Sequence, residues 1–540
     1  MKRTLVDRTI ALAFPQLAAK NMIARARMNA LEALPDLGSM SALDDGAHPN
    51  APGAGPMAPS DGAGRWWRPR ARDARSDTMR QLPLQRGQSR DLARTSPIAV
   101  GAINTNVDRV VGTGLALSAQ PNIAVLGWTP EQARAWKTKV QTEFAMWADS
   151  TESDIEETLN FYQQQGLVFR SVLESGDCAT ILPDGKRSAT QPYALRLQVI
   201  EADRIGNENG VADTLTTSGG VKLGPGGAPQ SYFVYDNHPG GFLPGQKGSI
   251  YKGGWYDRIG RSGRRRILHH FRKLRPGQPR GLPYLAPIVG CVKQISRYTE
   301  AEIMAAVISA YVTVFIETPT GESAPVFDGT TPGAGTAGAE IGLGPGAVVG
   351  LGPGEKATTT NPTRPNPNFE PFILAIIKQI GMALSLPYEL LLKQFNSSYS
   401  ASKAAMLDAW IYFRSVRNWL ALSFCQPIYE TWLTEAVALG RIAAPGFFAD
   451  PLLRWAYTRA AWPGDSMGSI NPKDEVAAYT DAIEARLMTR ERAEWELFGT
   501  DWNDTQTQRK AEHDRLIQDD MLPVPKAGAA APQPVKEETP

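Results

Sequence analysis

The 540-residue sequence predicts an α+β chain that is predominantly helical, and three observations carry that expectation. Apolar residues recur at helical spacing over several long segments, whereas the block 165–275 shows short β-rich runs broken by Gly, Pro, Asn and Asp. The length exceeds what one compact domain holds at roughly 100–200 residues per domain, so several domains or one elongated protomer is expected.

The elements follow in chain order. Residues 2–34 carry helical periodicity, and 35–64 is a Gly/Pro/Ala/Asp/Ser stretch that reads as a mobile linker. From Arg65 to Arg94 nine arginines stand against three aspartates. A helix is expected through Ile98, Ala102, Ile103 and Val107, stopped by Gly112 and Gly114. A second, over 129–149, is marked by Trp136, Val140, Phe144 and Trp147. Strands are expected near Tyr193–Ile200, Ser231–Tyr235 and Arg266–Phe271, with Gly206–Gly227 as a loop. Tyr284–Tyr311 reads as one helix of 28 residues, about 42 Å long. A Gly/Pro/Thr-rich insert, 318–368, with a small strand at Ala347–Leu351, separates it from a helix over 369–386 that Pro387 ends. After a polar link at Lys393–Tyr399 the longest helix runs from about Ala401 to Leu439, kinked at Pro427. Residues 469–520 are helical and acidic, with thirteen Asp/Glu against seven Lys/Arg. The Pro/Ala/Lys/Glu tail from Leu522 is expected to be unstructured.

Composition removes several function classes. With 42% hydrophobic and 21% charged residues the chain can build a core. Three distant cysteines (Cys178, Cys291, Cys425) give neither a disulfide framework nor zinc spacing. The net charge of +2 does not advertise nucleic acid, so any electrostatic message is local. The longest apolar run, Ala305–Ile316, is too short for a membrane span. Met1, Lys2 and Arg3 imitate a signal peptide, but Asp7 and Arg8 precede the apolar stretch and Pro15 breaks it, so cytoplasmic synthesis is expected.

Catalytic motifs are present only in outline. Gly464-Asp465-Ser466-Met467-Gly468 fits G-x-S-x-G, with Asp501 and His513 in the order of a hydrolase triad. The nucleophile elbow requires a helix immediately after the serine, and Asn471-Pro472 delays it. Gly240–Ser249 lacks the Gly-Lys-Ser/Thr of a phosphate loop. His269 and His270 are neighbours on a strand, so they point to opposite faces and cannot share an ion alone. No catalytic residue, metal site or cofactor is therefore expected. Between Arg258 and Arg280 there are nine Lys/Arg and no acid. Arg264, Arg265, Arg266, Arg272 and Arg275 are the candidates there for phosphate contact or for an interface with acidic segments of a neighbouring copy.

Four segments in order, SRDLARTSPIAVGAINTNVDRVVGTGL (89–115), HHFRKLRPGQPRGLPYLAPIV (269–289), FNSSYSASKAAMLDAWIYFRSVRNWLALSFCQPIYETWL (395–433) and INPKDEVAAYTDAIEARLMTRERAEWELFGTDW (470–502), make the chain resemble phage portal proteins of the lambda type. The resemblance runs from about residue 2 to 520, while 35–64 and 318–368 do not align.

The resemblance implies an elongated protomer with wing, stem, clip and crown that assembles into a ring. Residues 1–283 would be the wing, 284–311 and 369–386 the stem helices, and 312–368 the clip. Residues 387–401 would be the tunnel loop, 402–439 a long wing helix, 440–520 the crown and 521–540 a disordered tail. Lys393, Gln394, Asn396, Ser397 and Ser398 would face the channel and touch DNA without base specificity; an ordinary helix connection is the alternative. Ile288, Val292, Ile295, Ile373, Ile377 and Ile380 are expected to pack the stem. The implied function is that of a non-enzymatic head-to-tail connector, a ring of twelve at one capsid vertex of the virion of a phage or prophage, made in the bacterial host cytoplasm. Implied partners are double-stranded DNA, the terminase large subunit, major capsid and scaffold proteins, and head-completion or tail proteins, with no membrane. The competing expectations are a DNA-binding minor capsid or scaffolding protein, and a phage-assembly hydrolase.

Overall fold

A computed structural model describes residues 71–241, 251–311, 315–317, 356–358, 368–395, 398–468, 471–500, 502–519 and 521. The chain divides into two compact units, residues 1–76 and 77–540, and nearly all the described residues belong to the second. The expected helix 2–34, the linker 35–64, the strand 347–351 and the tail beyond Leu522 lie outside the described residues.

Two helices open the described chain, α1 (Ala74–Thr95) and α2 (Pro97–Val110). Ser96 separates them: its hydroxyl accepts from the Ala99 N–H, and Pro97 occupies the first helical position, where no N–H is needed. The stop after α2 is made by Gly112 and Gly114, both at positive φ. Helix α3 (Pro130–Ala148) carries a capping box between Thr129 and Gln132 and buries Trp136, Val140, Phe144 and Trp147, the stripe read from spacing. Helix α4 (Phe161–Ser175) repeats the capping box with Asn160 and Gln163.

Two antiparallel sheets follow. Strand β1 (Asp177–Ile181) is central between β2 (Gln198–Glu201) and β7 (Ile267–Phe271), pairing Ala179 with Ile200 and with His269. The second sheet has the order β3 (Thr217–Ser218), β4 (Val221–Leu223), β5 (Pro229–Tyr235), β6 (Gly253–Asp257). Residues 206–227, expected as loop, therefore contain two short strands, turned at Gly219 and Gly220 with positive φ. The sheets share a small core of Ala179, Ile181, Ile200, Val221, Tyr232 and Ile267.

The long helices depart from expectation at their ends. Helix α5 (Val289–Tyr311) begins five residues later than Tyr284, after a 3-10 turn at Ala286–Ile288. Helix α6 (Phe369–Leu384) stops at Ser385, whose φ of 55° is left-handed. Residues 387–401 are not all loop: Tyr388–Leu392 form the short helix α7, and α8 (Tyr399–Leu420) starts on the Ser398 cap. A π-helical turn, Ala421–Cys425, joins α8 to α9 (Gln426–Ala438). Pro427 lacks the N–H that would bond the Ser423 carbonyl, and the wider turn accommodates that loss. Helices α10 (Pro451–Thr458), α11 (Pro472–Glu484), α12 (Arg490–Phe498) and α13 (Trp502–Gln518) complete the described chain. A strand pair, Phe315–Glu317 with Lys356–Thr358, marks the base of the insert.

The main core collects aromatic rings from distant elements. Phe144 meets Trp432 edge-on at 5.1 Å between centroids, and Phe161 stacks on Phe424 at 5.6 Å. Trp147 donates its indole N–H to the Leu195 carbonyl, which ties α3 to the sheet region. Among the described residues no helix is long and apolar enough to cross a membrane.

Candidate channel segment and charged surfaces

The catalytic outlines do not survive their geometry. The Asp465 carboxylate accepts from the Thr113 N–H and hydroxyl, both at 3.2 Å, and so pins its loop to the end of α2. Helix α11 begins only at Pro472, so no elbow forms at Ser466, and His513 is exposed on α13. Asp501 lies outside the described residues, as does the phosphate-loop outline beyond Gly241. Among the described residues no His/Cys/Asp/Glu cluster could hold a metal ion.

The histidine pair points to opposite faces of β7. His269 Nε2 lies 3.1 Å from Asp177, and His270 Nε2 lies 3.0 Å from the Thr180 hydroxyl. Burial pushes the His270 pKa down to about 3, so the ring is neutral at ordinary pH.

Asp177 is the centre of a buried charge node that sequence reasoning missed. Arg86 Nη2 donates to one carboxylate oxygen at 2.5 Å, and Arg280 Nε to the other at 2.5 Å. The Gly281 N–H adds a further contact at 3.2 Å. Arg280 also donates to the carbonyls of Ala202, Ile205 and Gly219, so all sides of its guanidinium are engaged. Burial would raise the Asp177 pKa, but Arg280, Arg86 and His269 together hold it well below the usual carboxylate range. Arg280, counted with the basic surface in the sequence, is 1% exposed. Arg86 and Arg90, from the other basic stretch, also turn inward, Arg86 to Asp177 and both to Asp203. Arg65, Arg68 and Arg70 lie outside the described residues. The one signal in the sequence was the glycine after Arg280, since Gly281 has no side chain and lets the backbone approach Gly176 closely.

The five candidate arginines are spread over different partners. Arg264 pairs with Asp184, Arg265 approaches Glu430 at 3.9 Å, and Arg275 pairs with Asp77 at 2.6 Å. The Arg272 guanidinium lies over the Tyr412 ring at 5.8 Å. Arg266 is exposed and has no acid partner among the described residues. They do not form one phosphate-binding cluster.

The tunnel-loop candidates divide as well. Lys393 closes α7 with a φ of 53°, and its N–H bonds the Glu389 carbonyl. Lys393, Gln394 and Phe395 are exposed, and Ser398 caps α8; Asn396 and Ser397 lie outside the described residues. Lys393 and Phe395 border a cleft of about 380 Å³ whose other wall includes Asp108, Arg109 and Asp465.

Of the six stem candidates, Ile288 in the turn before α5, Val292 and Ile295 on α5, and Ile377 and Ile380 on α6 are buried, and Ile373 is half-buried. Other apolar side chains there remain uncovered. Ile303, Met304 and Val307 on α5 and Phe372 and Met382 on α6 are exposed, as are Leu407 and Ile411 on α8.

Residues 61–417 match the family described as phage portal protein, lambda family. Portal protein B of Escherichia phage lambda is 23% identical over 454 residues, 79% of this chain and 83% of its own length. The portal protein of Escherichia phage N15 is 24% identical over 455 residues, with the same coverage of each chain. Among solved structures, a chain in the virion of a native gene transfer agent particle aligns with a TM-score of 0.38 at 14% identity, over 75% of this chain and 92% of that one. A chain in the neck of an empty gene transfer agent particle gives a TM-score of 0.41 at 14% identity, over 67% and 90%.

Proposed function

The chain belongs to the lambda family of phage portal proteins, and from that membership we propose that it is the repeating unit of a ring of twelve at one capsid vertex, through which double-stranded DNA is packaged and later ejected. The observation that carries the ring is the uncovered apolar surface of α5, α6 and α8, where Ile303, Met304, Phe372, Met382 and Ile411 face solvent in a single chain. Copies placed side by side in heterologous contact would cover these side chains, and a closed rotation would give a ring.

In this reading residues 1–283 form the wing, α5 and α6 lie within the stem segments 284–311 and 369–386, and 312–368 is the clip. The tunnel loop is 387–401, the helices from 402 to 439 return to the wing, and 440–520 form the crown. Lys393, Gln394 and the Asn396–Ser398 stretch meet the DNA backbone weakly, because a translocating duplex must not be held. The terminase large subunit docks on the clip and supplies the chemistry; the chain itself is a conduit without catalytic groups. After packaging, head-completion and tail proteins take that place, while major capsid and scaffold proteins surround the ring.

Mass photometry and negative-stain microscopy of the purified full-length chain test this reading. Rings of about a dozen subunits with a central hole are expected. A monomer that binds duplex DNA with a steep salt dependence would point instead to a DNA-binding minor capsid or scaffolding protein.

A further inference from the structure

A groove of about 700 Å³ opens between the segment that links β6 to β7 and helices α9 and α10. Five arginines line it: Arg187, Arg258, Arg264, Arg265 and Arg454. Its acids are already engaged, Asp184 by Arg264, Glu430 by Arg265, and Glu435 by Arg187 at 3.0 Å. Arg258 and Arg454 have no acid partner among the described residues; Arg454 bonds the Thr434 hydroxyl and lies over Phe447. Two aromatic side chains in the same wall are open to solvent, Phe448 at 64% and Trp455 at 49% exposure. The groove is thus a cationic surface with apolar contacts and unspent positive charge.

Helix α11 has the complementary character. None of its residues is buried. One face holds it to the body, with Glu475 paired to Lys403 at 2.8 Å and the Tyr479 hydroxyl donating to Glu496. The opposite face presents Asp474, Asp481 and Glu484 around Ala477 and Ala478, all exposed. Asp481 and Glu484 have no cationic partner among the described residues. Small alanines between acids let a helix approach a wall of aromatic rings closely while its carboxylates reach flanking guanidiniums.

We infer that the outer face of α11 in one copy of this chain seats in the arginine-lined groove of the next copy. The two surfaces differ, so the contact is head-to-tail and repeats from copy to copy until the ring closes. The inference rests on the ring reading and names one of its contacts. Arg258 and Arg454 take the carboxylates of Asp481 and Glu484, and Trp455 and Phe448 cover the alanine strip.

Cysteines placed at Ser262→Cys in the groove and Ala477→Cys on α11 of the full-length chain report this contact. Cys178 and Cys425 are buried and Cys291 is half-buried, which limits background. A short bismaleimide is expected to give a ladder of covalent multimers, and neither single variant should give one. Asp481→Arg with Glu484→Arg is expected to raise the concentration needed for assembly by about tenfold or more, and Arg258→Glu added to them to restore it in part. Absence of the ladder, with charge reversal leaving assembly unchanged, overturns the inference and leaves the groove to a foreign acidic segment. The ring reading is tested separately, by particle mass of the unmodified chain, and survives that result if rings form.

Discussion

Replacing the Asp177 carboxylate by the amide in Asp177→Asn leaves Arg86 and Arg280 buried against a neutral group. Loss of one partner in such a node costs about 3–5 kcal/mol, to be read from urea denaturation. Because the Asp177 pKa is held below its ordinary 3.8, its contribution is complete above that pH and is lost as pH falls below it. His270 acts over a different window. With its pKa lowered from 6.5 to about 3, stability falls by about 1.4 kcal/mol per pH unit as pH drops from 6.5 toward 3. His270→Gln should flatten that part of the profile, and an unchanged slope would contradict the assignment. Individual residues were legible where spacing decides their environment, as for Trp136, Val140, Phe144 and Trp147. They were illegible where partners are distant: Arg280 reads as surface charge until the fold brings Asp177, 103 positions away, against it.

Helix ends follow local chemistry closely. Ser96→Ala removes the hydroxyl that caps α2 and should lower stability by about 1 kcal/mol, measurable as a shift in the denaturation midpoint. Ile377, buried on α6, gives a sharper test of the stem. Ile377→Glu should prevent assembly, since an unpaired carboxylate there is costly to bury; normal rings from this variant would remove α6 from the packed stem. The long helices were readable because their apolar stripes repeat over many turns. Residues 206–227 were not, because strands of two and three residues carry too few side chains to show a period. The π turn before Pro427 is likewise invisible to spacing, although the proline itself marks the place.

For the molecule as a whole, Ile303→Glu combined with Val307→Glu separates folding from assembly. Both side chains are exposed in the single chain, so the variant should melt like the parent yet fail to form rings. Lys393→Ala belongs to the same level: phage particles carrying it should show altered packaging or retention of full-length DNA, and normal particles would relieve that lysine of a channel role. Overall charge was uninformative for function, because +2 is the sum of nearly balanced totals. The order of four segments was informative, since helices too long to bury their own apolar faces need neighbours, and that need constrains the whole sequence at once.

The Asp177 node also sets a clock for synthesis. Arg86 leaves the ribosome before Asp177, but Arg280 follows Asp177 by 103 residues, about 5–20 s at ordinary elongation rates. Until then β1 has no β7 beside it, and the Asp177 carboxylate must stay hydrated. The three-stranded sheet is therefore sealed late, when β7 and Arg280 arrive together, and a nascent chain stalled before that point would present an open sheet edge to its neighbours on the same polysome.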